Sequence, residues 1–221
     1  LTTDYLDIVG RIQAAATRAN HPAQLLAVSK TKPADAVRAL AARGQRAFGE
    51  NYVQEALAKQ RELTDLNLEW HMIGPLQSNK AREVAENFGW LQSLDREKLV
   101  VPLDRYRPAS RGLLNVLIQV NIDDEATKSG CARQDVAKLA AAIANAPNLA
   151  LRGLMAIPQP SDDIEVRRRA FRRMRELFET LRTLHGSVDT LSMGMSEDFE
   201  LAIGEGATMV RIGTALFGAR A

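Results

Sequence analysis

The sequence holds a single cysteine, Cys131, among 221 residues. That excludes an intramolecular disulfide and fits a reducing compartment. Its three histidines, His21, His71 and His185, are scattered, so no metal-ligand spacing is present and no metal is expected. Long apolar runs are missing too. The first twenty residues, LTTDYLDIVGRIQAAATRAN, are interrupted by Asp4, Asp7, Arg11 and Arg18 and form no signal-peptide core. No other window approaches a membrane span, so the cytosol is the expected location, with no membrane partner. Charge of one sign is likewise scarce: 29 basic against 27 acidic residues leave a net +2, too little to argue for nucleic acid. No Pro/Gly/Ser-rich linker or low-complexity stretch divides the chain, and the expectation is one domain over 1–221.

What is present is a regular alternation. Residues 4–19 carry Leu6, Ile8, Val9, Ile12, Ala15, Ala16 and Ala19 at helical spacing, so 1–20 reads as an N-terminal helix packed on whatever follows. Strand-like runs then recur at 25–30, 46–50, 69–74, 90–95, 115–121, 151–157, 190–194 and 209–213. Helical patterns such as ADAVRALAARG, VQEALAKQREL and DVAKLAAAIANA lie between them. Gly44 and Gly89 sit where helices should stop, and Pro33 where one should start. Eight strand signals alternating with helix predict an α/β fold, a single (β/α)8 TIM barrel with the extra N-terminal helix. A doubly wound open sheet would also alternate. The absence of any composition break favours closure.

In such a barrel the chemistry gathers at the C-terminal ends of the strands. A lysine ending a strand is ordinarily a solvated cap, but in LLAVSKTKPAD Lys30 and Lys32 fall over the barrel mouth. Glu50 and Asn51 end the second strand, and GPLQSNK follows the third. SMGMSEDFE supplies Ser192, Gly194 and Ser196 after the seventh strand, and Gly213-Thr214 opens the last helix. Each of these turns alone is a helix cap. On neighbouring strands they make a phosphate cup. Arg211, inside MVRIG, points either outward, where it needs a carboxylate, or inward to a ligand. An amine, a phosphate cup and an inward arginine together describe a seat for pyridoxal 5'-phosphate (PLP), whose aldehyde forms a Schiff base with lysine. Lys32 beside it would help keep part of the Lys30 population unprotonated. A barrel using Lys30 on a sugar phosphate, without a cofactor, is a weaker reading.

Other clusters take plainer readings. RRRAFRRMR carries an apolar stripe (Ala170, Phe171, Met174, Leu177, Phe178, Leu181) and reads as a solvated helix face. His71 reads as a hydrogen-bonded strand residue, and Trp70 and Trp90 as packing residues.

The segments AVSKTKP, FGENYVQEA, WHMIGPLQSNK, VNIDDEATKSG, GLMAIP, SMGMSEDFELAI and VRIGTALFG together resemble the pyridoxal phosphate homeostasis protein family (YggS/PROSC), from about residue 20 to the C-terminus. The resemblance implies an alanine-racemase-like, fold-type III PLP barrel without the racemases' second domain. It implies Lys30 as the cofactor-linked lysine, with Ser192, Ser196, Gly213 and Thr214 holding the phosphate. Arg211 would face the pyridine nitrogen, and Asn51 and Met155 would line the ring. Lys128 falls where family members carry a lysine linked to cofactor handling, and Lys32 or Lys128 is a candidate for a transient transfer site. Cys131 departs from the bulkier apolar residue more familiar there, which would leave an accessible thiol.

A guanidinium opposite the pyridine nitrogen donates and cannot give up its proton, so the ring stays unprotonated, a weaker electron sink. Racemisation also needs a second acid/base group on the opposite face of Cα. Of Tyr5, Tyr52 and Tyr106, only Tyr52 lies near the mouth, and it is expected to pack. The function expected is therefore vitamin B6 homeostasis, with PLP held on Lys30 and delivered to transient apoenzyme partners by a monomer. No firm catalytic residue is assigned. The alternative is an amino-acid racemase or related PLP-dependent carbanion enzyme.

Overall fold

A computed structural model gives the structure of the protein and describes residues 2–125 and 129–218. The chain opens with α1 (Thr2–Ala19), then β1 (Gln24–Val28), α2 (Ala34–Ala41), β2 (Ala47–Glu50), α3 (Val53–Glu62), β3 (Glu69–Met72) and α4 (Ala81–Asn87). It continues through β4 (Trp90–Leu94), α5 (Val100–Tyr106), β5 (Leu114–Gln119), α6 (Val136–Ala144), β6 (Leu149–Met155) and α7 (Ile164–Leu184). The last elements are β7 (Thr190–Ser192), α8 (Phe199–Gly204), β8 (Met209–Ile212) and α9 (Thr214–Phe217).

The strands pair in parallel in sequence order, and β8 returns to β1 with Ala27 opposite Ile212, which closes the barrel. All eight strand runs in the sequence are strands here, most of them a residue or two shorter at the C-terminal end. Parallel strands joined by helical crossovers bury both faces, which is why these runs are apolar nearly throughout. The outer core forms where helix faces meet the sheet: Val37 and Leu40 of α2, Ala56 of α3, Val84 of α4, Ile143 of α6, and Phe171, Met174 and Phe178 of α7 are all buried. Burying each large side chain contributes about 1.5–3 kcal/mol. A second, inner cluster of Trp90, Leu117 and Met155 lies inside the barrel.

Helix α1 buries Tyr5, Ile8, Ile12 and Ala15 and meets α8. There Arg11 donates to both carboxylate oxygens of Glu200, at 3.2 and 3.1 Å, and lies over the Phe199 ring at 4.8 Å. Helix α7 begins at Asp163, whose side chain accepts from the Glu165 amide at 2.8 Å, an N-cap. Apart from Arg167, the arginines of its basic run form the predicted charged face, and Arg168, Arg172 and Arg175 converge on the buried Glu205. Among the described residues no helix is long and apolar enough to cross a membrane.

Candidate functional site

The C-terminal end of the barrel opens into a cavity of about 850 Å3. Alternation along β1 decides what reaches it. Val28 and Lys30 line the cavity, whereas Ser29 between them turns to the helix layer, where its hydroxyl donates to Glu50 Oε1 at 2.6 Å. The turn carrying Lys30 is held from α3. The Lys59 ammonium donates to the Ser29 carbonyl, to Glu50 and to Glu55, each at 2.7 Å, and the Thr31 amide donates to Glu55 at 2.5 Å. Thr31 occupies the left-handed region at φ 63°, a conformation these contacts compensate. Burial raises the Glu50 carboxyl pKa against the hydrogen bonds from Lys59 and Ser29.

Asn51 follows β2 and lines the wall beside Lys30. The chain after β3 passes so close to it that a Cβ on Gly74 would sit 2.2 Å from the Asn51 carbonyl oxygen, so only glycine fits there.

Arg211 of β8 points inward and lines the same cavity. It is 4% exposed, and its guanidinium donates to the carbonyls of Ser192 and Ala156 and to the Ser192 hydroxyl, each at 2.8 Å. No carboxylate among the described residues lies within ion-pair distance of it, and Asp198 on the cavity wall acts on it only through space. Burial pulls it down to about 10, which leaves it cationic at neutral pH. The remaining wall comes from the turns after β7 and β8: Gly194, Ser196, Gly213 and Thr214 all line it. Gly194 has φ +92°, and a Cβ there would lie 2.5 Å from that of Ala202, so the turn that presents Ser196 requires glycine.

Lys30, Asn51, Ser196, Arg211, Gly213 and Thr214 are thus brought together as the sequence suggests. Others are not. Met155 is fully buried with Trp90 and Leu117 inside the barrel and is not part of the wall. The Ser192 hydroxyl is also fully buried, engaged by Arg211 and by Gln92, which separates it from the rim. Glu50 faces the helix layer rather than the mouth, because side chains one residue apart on a strand point to opposite faces. Lys32 lies in the turn but not on the cavity wall, and Lys128 lies outside the described residues. Tyr52 does not pack; it is 60% exposed, at the start of α3. Cys131 is buried and its thiol is pushed up to about 12, chiefly by burial, so it is not an accessible thiol.

Arg167, the first residue of RRRAFRRMR, lines the cavity wall instead of standing on the solvated helix face expected of that run. A signal existed: it stands four residues before Phe171, on the face that continues through Met174 and Phe178 into the core. Gln119 of β5 also reaches the wall.

The closed parallel barrel, with a lysine leaving β1 and an arginine rising from β8 into one cavity, has the alanine-racemase-like architecture. Residues 5–221 match the family described as alanine racemase, N-terminal domain. An alanine racemase from Corynebacterium glutamicum superposes with a TM-score of 0.69 at 21% identity, over 96% of this chain and 60% of that one, a likeness of fold alone. The chain is 58% identical over 216 residues to the pyridoxal phosphate homeostasis protein of Pseudomonas aeruginosa, covering 96% of this chain and 93% of that protein. It is 52% identical over 216 residues to the protein of that name from Escherichia coli, covering 95% and 92%. Among solved structures, PipY of Synechococcus elongatus with PLP bound is similar at 39% identity and a TM-score of 0.79, over 94% of this chain and 99% of that one. The chain belongs to the pyridoxal phosphate homeostasis protein family.

Proposed function

We propose that this protein binds PLP in the barrel cavity, holds it as a Schiff base on Lys30, and delivers it to apoenzymes inside the cell. The observation that carries the reading is the joint exposure of Lys30 and Arg211 to one cavity, since a buried guanidinium without a carboxylate at ion-pair distance suits a neutral acceptor such as a pyridine nitrogen. The residues fit the group. Gly213, Thr214 and Ser196 offer backbone N–H groups and hydroxyls to a phosphate, and Asn51 stands beside the lysine. When bound, PLP supplies a reactive aldehyde. Lys30 would hold it reversibly through its amine, with water lost on attachment and taken up again on release. Arg211 cannot surrender its proton, so it would leave a pyridine nitrogen facing it unprotonated and limit electron withdrawal.

A PLP-dependent racemase is the rival reading. The described cavity lining holds no tyrosine, histidine or cysteine, so besides Lys30 such an enzyme would have to draw its second acid/base group from Asp162, Glu197 or Asp198. The two readings separate by deuterium exchange at Cα of L-alanine in D2O, where enzyme-like rates would sink the carrier. Attachment is tested by visible absorption of the PLP-loaded protein before and after borohydride. The expected result is a yellow band that borohydride fixes to the Lys30 peptide and that Lys30→Ala loses from that peptide. No band in the native protein after adding PLP removes the cofactor reading.

A further inference from the structure

Barrel interiors are ordinarily filled by branched apolar side chains, yet this one carries a continuous row of buried polar groups below the cavity. The Arg211 guanidinium donates to Ser192 Oγ at 2.8 Å, and Ser192 Oγ donates to Gln92 Oε1 at 2.7 Å. Gln92 Nε2 lies 2.9 Å from His71 Nδ1, and His71 Nε2 lies 2.8 Å from Glu69 Oε1. Arg211, Ser192, Gln92 and His71 are all buried, while the Glu69 side chain is half exposed.

The ends of this row fix the direction of every bond within it. A guanidinium only donates and an ionised carboxylate only accepts. Ser192 accepts from Arg211, so its single hydrogen goes to Gln92, which must turn its carbonyl to Ser192 and its NH2 to His71. From the other end, Glu69 requires a hydrogen on His71 Nε2, which leaves Nδ1 of a neutral ring as the acceptor. Both ends give the same polarity. The surroundings agree with it: burial lowers the His71 pKa and keeps the ring neutral, and the His71 hydrogen bond holds the Glu69 carboxyl below its usual range. His71 is also clamped flat against Trp90, with ring centroids 5.1 Å apart and planes 8° apart.

We propose that Gln92, His71 and Glu69 are positioning residues for the cofactor: a one-way hydrogen-bond chain aims the Arg211 guanidinium and ties its charge to a carboxylate at the far end of the barrel. The row then holds the guanidinium from below and gives it a remote counter-charge, while Asp198 on the cavity wall is the carboxylate that acts on it directly. Such a chain acts cooperatively in a low-dielectric interior, so a change at one end reaches the other. The proposal rests on Arg211 meeting PLP, and its test has one arm that does not.

In the cofactor-free protein labelled with 15N-histidine, His71 is expected to be neutral with its hydrogen on Nε2. Arg211→Met is expected to shift the His71 ring-nitrogen signals while leaving those of His21 and His185 in place. A hydrogen on Nδ1, or no response to Arg211→Met, overturns the chain whether or not PLP binds. In the second arm, Glu69→Gln, which keeps an acceptor but removes the charge at a half-exposed site, and Gln92→Leu are each expected to weaken PLP binding about tenfold. Leu117→Met, in the same interior but outside the row, is expected to leave binding unchanged. Equal affinity in wild type, Glu69→Gln and Gln92→Leu overturns the positioning role. Wild-type protein that binds no PLP refutes the proposed function, and the first arm still decides the chain.

Discussion

At the scale of single residues, chemistry here is set by which side of a strand a side chain leaves. Lys30 and Ser29 are neighbours in sequence, yet one enters the cavity and the other bonds Glu50 in the helix layer. Cys131 shows the same dependence on placement. Its backbone extends the edge of β5, donating to the Gln119 carbonyl at 2.9 Å, and its thiol is buried and pushed up to about 12. The reactive thiolate is therefore nearly absent at pH 8. Alkylation by iodoacetamide should run about a thousandfold slower in the folded protein than in urea. Mass spectrometry of timed samples checks this, and comparable rates would show that Cys131 is open to solvent.

At the scale of elements, β1, β2 and α3 are joined by the Ser29–Glu50–Lys59–Glu55 network, which also fixes the turn behind Lys30. Glu50 is fully buried, and its Oε2 has no partner among the described residues, so it depends on Lys59. Lys59→Met should destabilise the protein by about 3–5 kcal/mol, because a buried carboxylate is left uncompensated. Removing both charges with Lys59→Met and Glu50→Met should restore most of that loss. Urea denaturation of the three variants tests it, and equal losses in single and double variants would show that packing alone is responsible.

These elements also show what the sequence could tell. Strand positions were legible from apolar runs and turn residues, and their ends to within two residues, because parallel strands buried on both faces leave a strong compositional mark. The inward set along a strand was not. The same strong burial erases the two-residue alternation that would have assigned Glu50 outward and Asn51 inward. The row from Arg211 to Glu69 was invisible for another reason. It depends on register among β3, β4, β7 and β8, which no local pattern encodes. Arg167 was half legible, since its spacing to Phe171 placed it on the buried face while its charge argued for solvent.

At the scale of the whole molecule, α1 is attached to the barrel through a few apolar side chains and the Arg11–Glu200 pair. The Arg11 guanidinium holds the Glu200 carboxyl below its usual range. A carboxylate with a lowered folded pKa contributes its full stabilisation above the ordinary glutamate value and loses it as pH falls through the lowered one. The pair is partly exposed, so the contribution is small, about 0.2–1 kcal/mol. Amide exchange in α1, corrected for intrinsic rates, should quicken a few-fold between pH 5 and about pH 3. Glu200→Gln should show the faster exchange already at pH 5, and a variant indistinguishable from wild type at both pH values would remove the pair from the docking of α1.

Among the described residues, the buried cluster of Trp90, Leu117 and Met155, with His71 beside it, stands between the cavity and the far end of the barrel. The cavity is therefore a cul-de-sac. Whatever arrives over Lys30 must depart by the same opening, past the same turns, and a second molecule cannot push the first out from behind. Under the proposed function, loading and unloading would be one road travelled in opposite directions, and a recipient would have to wait at the door by which the cargo came in.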